Sequence, residues 1–139
     1  MPFAQQNNRI VIAYSPLAQG LLSGNYTASN RPGGVRKFNR LFGSDNLQRA
    51  QPLLDTLRET AKNHGAKPAQ IALAWLLSQP QVVVIPGASG VAQLELNVAA
   101  ADIELSADEI AELTRQAEAF QPVSTIGTLL SSARDKIRP

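Results

Sequence analysis

The sequence has no cysteine and a single histidine, His64. The first absence excludes disulfides and thiolate metal sites and leaves the redox compartment unconstrained. The second excludes a metal centre built on several histidines, and any histidine-based triad has to run through His64. Aromatic residues are scarce, at 5%. Charged residues make up 17%, against roughly 25% in soluble domains. A chain of 139 residues has proportionally more surface than a large one and should want more charge. The expectation is that something else covers part of that surface. Long apolar runs are also lacking. Ser, Pro, Gln or Gly interrupts each one well short of the roughly 20 residues a bilayer requires. The start, Met1 to Arg9, is polar and amide-rich, so no targeting segment is expected and the chain reads as cytoplasmic, without membrane contact. Thirteen Lys and Arg against eleven Asp and Glu leave a net charge of +2, too weak a field to argue for nucleic acid.

What is present is an alternating α/β pattern. Residues 9–14, Arg-Ile-Val-Ile-Ala-Tyr, form a short apolar run that ends at Ser15-Pro16. Residues 82–85, Val-Val-Val-Ile, form a second, closed by Pro86-Gly87. Continuous apolarity predicts parallel strands covered on both faces. Between them, Asp45 or Asn46 is expected to cap a short helix, and Pro52 to stand in the first turn of a longer one ending at Gly65. Pro68 opens a helix to Ser78 whose centre, Ile71 to Leu77, is apolar nearly all round and should be deeply buried. A helix from Val91 to about Ala101 follows the second strand. Ser106 and Glu109 form a capping box, and Ile110, Leu113, Ala117 and Phe120 make an apolar stripe behind it. Ser23–Gly43, rich in Gly, Asn, Arg and Pro, reads as a long loop. Residues 1–139 read as one domain, with 121–139 a weakly structured tail. Two strands do not make a stable sheet, and their unpaired edges would invite pairing. A (β/α)₈ barrel takes roughly 250 residues, so this chain supplies about two of its eight units.

Three features can carry chemistry. The turn Gly87-Ala-Ser-Gly90 lies between a strand and a helix N-terminus, where backbone N–H groups and the helix dipole favour a phosphate. An ordinary βα turn is the other reading. Tyr14-Ser15-Pro16-Leu17 stands at the C-terminal end of the first strand, where parallel sheets bind ligands. Tyr14 offers a face for ring stacking, or is a core tyrosine. Arg31, Arg36, Lys37 and Arg40 form a basic cluster without an intervening acid, suited to a phosphate or to a solvated loop. Phe38 and Phe42 beside it would allow base stacking, which the weak charge and the fold class argue against. His64, just before Gly65, and the acids Asp108, Glu109 and Glu112 are explained by helix dipoles.

The stretch Val11-Ile-Ala-Tyr-Ser-Pro-Leu-Ala-Gln-Gly-Leu-Leu-Ser-Gly24 resembles the seventh-strand segment of aldo-keto reductases. Pro68 through Ile71 and Trp75 to Leu77 resembles the helix before their last strand. Val84-Ile-Pro-Gly-Ala-Ser89, followed by Gln93, Leu94 and Asn97, is similar to their eighth strand and cofactor loop. The likeness runs from about residue 3 to residue 120. It implies the C-terminal part of a (β/α)₈ TIM barrel, with about two parallel strands and flanking helices, that grips NADP(H) without a Rossmann fold. By position, it implies that Tyr14 stacks on the nicotinamide and that Ser15, Pro16, Leu17, Gln19, Gly20 and Leu22 lie along the pyrophosphate. Gly87, Ser89, Gln93 and Asn97 would hold the adenosine and its 2′-phosphate, and Arg36 would close on the phosphates. Asn25 replaces a lysine and Leu96 a glutamate of the family pattern, so each lost charged contact costs about 1–3 kcal/mol of affinity.

The family's catalytic Asp, Tyr, Lys and His sit on earlier strands, and the chain begins after them, so no catalytic residue is named. The resemblance implies NADPH-dependent reduction of aldehydes or ketones for the parent protein, with this chain inactive alone. The alternatives are a non-catalytic nucleotide-binding or interaction module completed by a partner, such as a complementary half-barrel or a second copy, and a truncated product without a role of its own.

Overall fold

A computed structural model of the chain describes residues 2–123. The expected tail therefore lies, from residue 124 on, outside the described residues. The elements run α1 (Pro2–Gln6), β1 (Val11–Ala13), α2 (Ser44–Asn63), α3 (Pro68–Leu77), β2 (Val82–Val84), α4 (Val91–Ala99) and α5 (Ala107–Ala119), with short 3₁₀ turns between them. The strands pair in parallel, with Val11 opposite Val82, Ile12 opposite Val83 and Ala13 opposite Val84. They are shorter than the apolar runs that contain them, because only three residues of each find a partner. At the strands' N-terminal end, Gln81 Nε2 donates to Asn8 Oδ1 and Val11 N–H donates to the Gln81 carbonyl, which locks the register.

One face of the strand pair packs inward and the other is bare. Val82 is buried and Val11, Ala13 and Val84 are half-buried, whereas Ile12 and Val83 are 62% and 42% exposed. Ile10, Tyr14 and Ile85 continue that exposed face at the two-residue period of a strand. The expectation of cover on both faces is thus corrected: the described residues cover only one.

The core sits among the helices. Leu47, Ala50, Leu53, Leu54, Leu57 and Ala61 of α2 pack with Ile71 and Ala72 of α3 and Leu113 of α5. Trp75 Nε1 donates to Thr114 Oγ1 at 3.1 Å and ties α3 to α5. In α3 only the first half is buried. Ile71 to Ala74 are covered, and Trp75, Leu76 and Leu77 are partly exposed. α4 ends at Ala99, two residues before the expected end, in a 3₁₀ turn, and buries none of its residues. The capping box at α5 is present as expected: Ser106 Oγ accepts from Glu109 N–H, and Glu109 Oε2 accepts from Ser106 N–H at 2.8 Å.

Two further expectations are corrected. α2 is one 20-residue helix capped at Gly43, with Pro52 inside it. Proline removes the hydrogen bond to the Gln48 carbonyl, on an exposed side of the helix, and the buried residues on either side keep the helix continuous. Asn46 is not a cap but a buried strut, donating to the Arg40 carbonyl and accepting from Val123 N–H. The segment 23–43 is not a plain loop. It holds 3₁₀ turns at Gly34–Phe38 and Arg40–Phe42. Phe42 is fully buried, edge-on to Tyr26 with ring centroids 5.3 Å apart.

Candidate cofactor cleft

Because β1 and β2 are parallel and in register, the segments that follow them leave the same end of the sheet. Tyr14 stands one residue past Ala13, and Ile85 one past Val84. That brings the turn Ser15–Leu22 and the turn Pro86–Gly90 to a common C-terminal rim, although some 70 residues of sequence separate them.

Tyr14 is 86% exposed, which overturns the core reading and leaves its ring face open. Pro16 is buried and anchors the first turn. The backbone on both sides of it is strained. Ser15, Ala18 and Gln19 have φ of 52°, 47° and 59°, and Gly20 has 100°. A non-glycine residue in that region costs about 1–3 kcal/mol and persists only where its surroundings hold it. Here they do. Ala18 N–H donates to the Ser15 carbonyl at 2.8 Å, Gly20 N–H and Leu22 N–H both donate to the Leu17 carbonyl, and Ser23 Oγ donates to the Gly20 carbonyl. Arg58 Nη2 donates to the Gly24 carbonyl at 2.9 Å, and Pro68 sits 3.0 Å from where a Cβ on Gly24 would be.

The second turn is held by its own side chains. Gln93 Oε1 accepts from both Ser89 N–H, at 2.8 Å, and Ser89 Oγ, at 2.9 Å. Asn97 Nδ2 donates weakly to the Gly87 carbonyl at 3.4 Å. Gly87 and Gly90 have no left-handed φ, and a Cβ on either would meet nothing within 4 Å. The fold does not need glycine at these two places. Open space over a glycine backbone suits a ligand that approaches the main chain closely. Gly90 caps α4 without a side-chain acceptor, so the first-turn N–H groups face outward as donors.

The structure thus places Tyr14, Ser15, Pro16, Leu17, Gln19, Gly20 and Leu22 in the segment that follows β1, and Gly87, Ser89, Gln93 and Asn97 in the turn and helix that follow β2. Arg36 is exposed on the 3₁₀ turn Gly34–Phe38, and no hydrogen bond of its side chain to either wall is present. Sequence reasoning missed two supporting residues. Asn39 Nδ2 donates to Gln19 Oε1 at 2.7 Å and fastens the basic segment to the first wall. Arg58 clamps Gly24 from α2. Neither has a local signal, since each acts over 20 residues or more of sequence. The exposed ring, the glycine cradle and the outward donors fit a dinucleotide. Among the described residues there is no group of three potential metal ligands, and no helix is long and apolar enough to cross a membrane.

Residues 1–118 match the model of the Aldo/keto reductase family. An uncharacterized oxidoreductase of Mycobacterium tuberculosis is 64% identical over 137 residues, which cover 99% of this chain and 42% of that protein. The NADH-specific methylglyoxal reductase of Escherichia coli is 32% identical over 122 residues, covering 87% of this chain and 37% of the enzyme. A crystal structure of a thermostable aldo-keto reductase in complex with epalrestat superposes with a TM-score of 0.61 at 36% identity, over 83% of this chain and 32% of that one. The glycerol dehydrogenase of Gluconobacter oxydans, at 22% identity, shares the fold with a TM-score of 0.74 over 88% of this chain and 38% of its own. The chain spans about two-fifths of the length of the curated relatives it matches.

Proposed function

The chain belongs to the aldo/keto reductase family, and on that premise we propose that residues 1–139 are the cofactor-binding, C-terminal portion of an NADPH-dependent carbonyl reductase. Its fold is part of a TIM barrel, and the observation that carries the reading is the strand register. Two parallel strands alone bring an exposed aromatic, a strained turn and a glycine-lined helix N-terminus to one rim.

In this reading Tyr14 offers its open face to the nicotinamide ring, and Ser15 to Leu22 follow the pyrophosphate. Ser89, released from Gln93, turns its hydroxyl and N–H to the 2′-phosphate, while Gln93 and Asn97 line the adenosine. Arg36 adds a cation from the other side. When bound, the cofactor supplies a hydride to a carbonyl carbon. This chain's part is to bind and orient; none of its residues matches the family's proton donor, so by itself it is inactive. NADPH is preferred over NADH because Ser89 and Arg36 have no work to do on a free 2′-hydroxyl; the name of the Escherichia coli relative sets NADH as the competing outcome. Calorimetric titration of both cofactors tests the reading. Saturable heat with NADPH, and weaker binding of NADH, is expected; heats of dilution alone from both would overturn it.

A second reading, an interaction module completed by another chain, is favoured by the bare sheet face of Ile10, Ile12, Tyr14, Val83 and Ile85 and by α4, whose Val91, Leu94 and Val98 are all exposed. The occupant would be a complementary half-barrel or a second copy. Both readings share the same cleft, and a completing partner would add to it.

A further inference from the structure

We propose that a cavity at the start of α2 binds the oxyanion head group, phosphate or carboxylate, of a small molecule, at a site distinct from the cofactor cleft. The cavity is open to solvent and offers about 230 Å³. That is room for roughly eight water molecules, or for a phosphate with a few carbon atoms. Arg31, Lys37 and Arg40 line it, together with Phe38, Asn39 and Asp45. Three cations thus meet one carboxylate. Among the described residues, the ion pairs are those of Arg58, His64 and Arg115, and none involves these three cations.

Arg31 is anchored by its side chain, and Arg40 by its backbone. Arg31 Nε donates to the carbonyl of Phe42 at 2.8 Å, and Phe42 is fully buried. The guanidinium is therefore anchored to the core through one nitrogen, and its terminal nitrogens remain as a planar fork for an oxyanion. The Arg40 carbonyl receives Asn46 Nδ2 and Gly43 N–H, which fixes the backbone from which its side chain departs. Asn46 spends its polar atoms on Arg40 and Val123, so it forms a rigid floor and does not compete for the ligand. Phe38, 83% exposed, supplies an apolar wall for the body of the molecule. Three like charges around one small volume repel one another, and a bound anion relieves that repulsion. Asp45 works against it, though its Oδ1 is partly engaged by Ser44 Oγ.

None of the residues assigned to the cofactor lines the cavity. Arg36, the cation assigned to the cofactor, is not among the lining residues. Asn39 is shared: it lines the cavity and hydrogen-bonds Gln19, so occupancy here would be felt in the first wall of the cleft.

The test is an amide-shift titration of the full chain by NMR with sodium phosphate and, separately, sodium acetate, each at ionic strength matched with sodium chloride. Saturable shifts at Gly43 to Asn46 with either anion are expected. Shifts no larger than those of the chloride reference with both anions would overturn the proposal. The double variant Lys37→Ala/Arg40→Ala, whose altered side chains are exposed, should bind about tenfold more weakly. Asp45→Asn should bind more tightly, and unchanged affinity in both variants would also overturn it. Repeating the phosphate arm with saturating NADP⁺ separates the two sources of phosphate. Retained binding supports a distinct site, whereas expulsion assigns the cavity to the cofactor. The titration without dinucleotide reads the cavity alone, so it reports on anion binding there whether or not the cleft takes a cofactor.

Discussion

His64 Nε2 lies 2.9 Å from Glu109 Oε1, so the residue that caps the C-terminus of α2 and the first turn of α5 are joined by a hydrogen bond across 45 residues of sequence. The same carboxylate accepts Ser106 N–H and Ser106 Oγ through its other oxygen. The backbone N–H of Ser106 is the main cause that holds the Glu109 carboxyl below its ordinary value of 4.5, with partial burial opposing and His64 assisting. A carboxyl whose value is lowered by folding binds fewer protons in the folded state than in the unfolded one. Its contribution to stability is therefore present above pH 4.5 and is lost as the pH falls through the folded value. Glu109→Gln should flatten the acid limb of a stability–pH curve. Ser106→Ala should cost about 1 kcal/mol at neutral pH by removing the cap. Denaturant melts between pH 3 and 7 check both.

Phe42 and Phe38 lie four residues apart and should behave in opposite ways. Phe42 is fully buried against Tyr26, and Phe38 is 83% exposed. Phe42→Ala should destabilise by about 3–5 kcal/mol, and Phe38→Ala by less than about 0.5 kcal/mol. Equal effects in thermal melts would show that the 3₁₀ segment is not part of the core.

The bare sheet face and the uncovered stripe of α4 should drive association. Ile12, Val83, Ile85, Val91, Leu94 and Val98 are each at least 42% exposed. Exposed apolar faces beside open strand edges are sites of pairing and aggregation. Size-exclusion chromatography with light scattering should find dimers or larger species that grow with concentration. A monodisperse monomer at high concentration contradicts this.

Catalysis is expected to be missing. His64 is paired with Glu109, and Tyr14 and Tyr26 lie in segments that do not match the one that carries the family's proton donor. The purified chain with NADPH and a broad aldehyde panel should give no protein-dependent oxidation of NADPH. Measurable oxidation would contradict the reading.

The elements whose signal is local were legible in the sequence. The two β-branched runs, the proline that opens α3 and the Ser106–Glu109 box each depend on neighbours within a few residues. Where tertiary contacts decide, the pattern misleads. Pro52 sits inside α2 because buried leucines on both sides outweigh one lost hydrogen bond. Phe42 lies in a stretch of loop composition, yet its burial needs Leu21, Tyr26 and α2, which no window of sequence contains. α1, Pro2–Gln6, is too short and polar to show any period. In the turns that follow β1 and β2, the hydrogen bonds that hold each turn were not legible in the sequence. Ser89 gives both of its donors to Gln93, so in the proposed reading a 2′-phosphate would displace an existing partner.

That displacement makes Ser89 the place to test cofactor binding. Asp at this position puts a negative charge where the 2′-phosphate should lie, next to the α4 N-terminus, which tolerates acids well and so should keep its fold. Calorimetric titration of NADPH and NADH into the native chain and Ser89→Asp reads it directly. The native chain should prefer NADPH, and the variant should lose about tenfold or more in NADPH affinity while binding NADH nearly as before. A variant that binds NADPH as tightly as the native chain would contradict the assignment, because the phosphate would then not be at this turn.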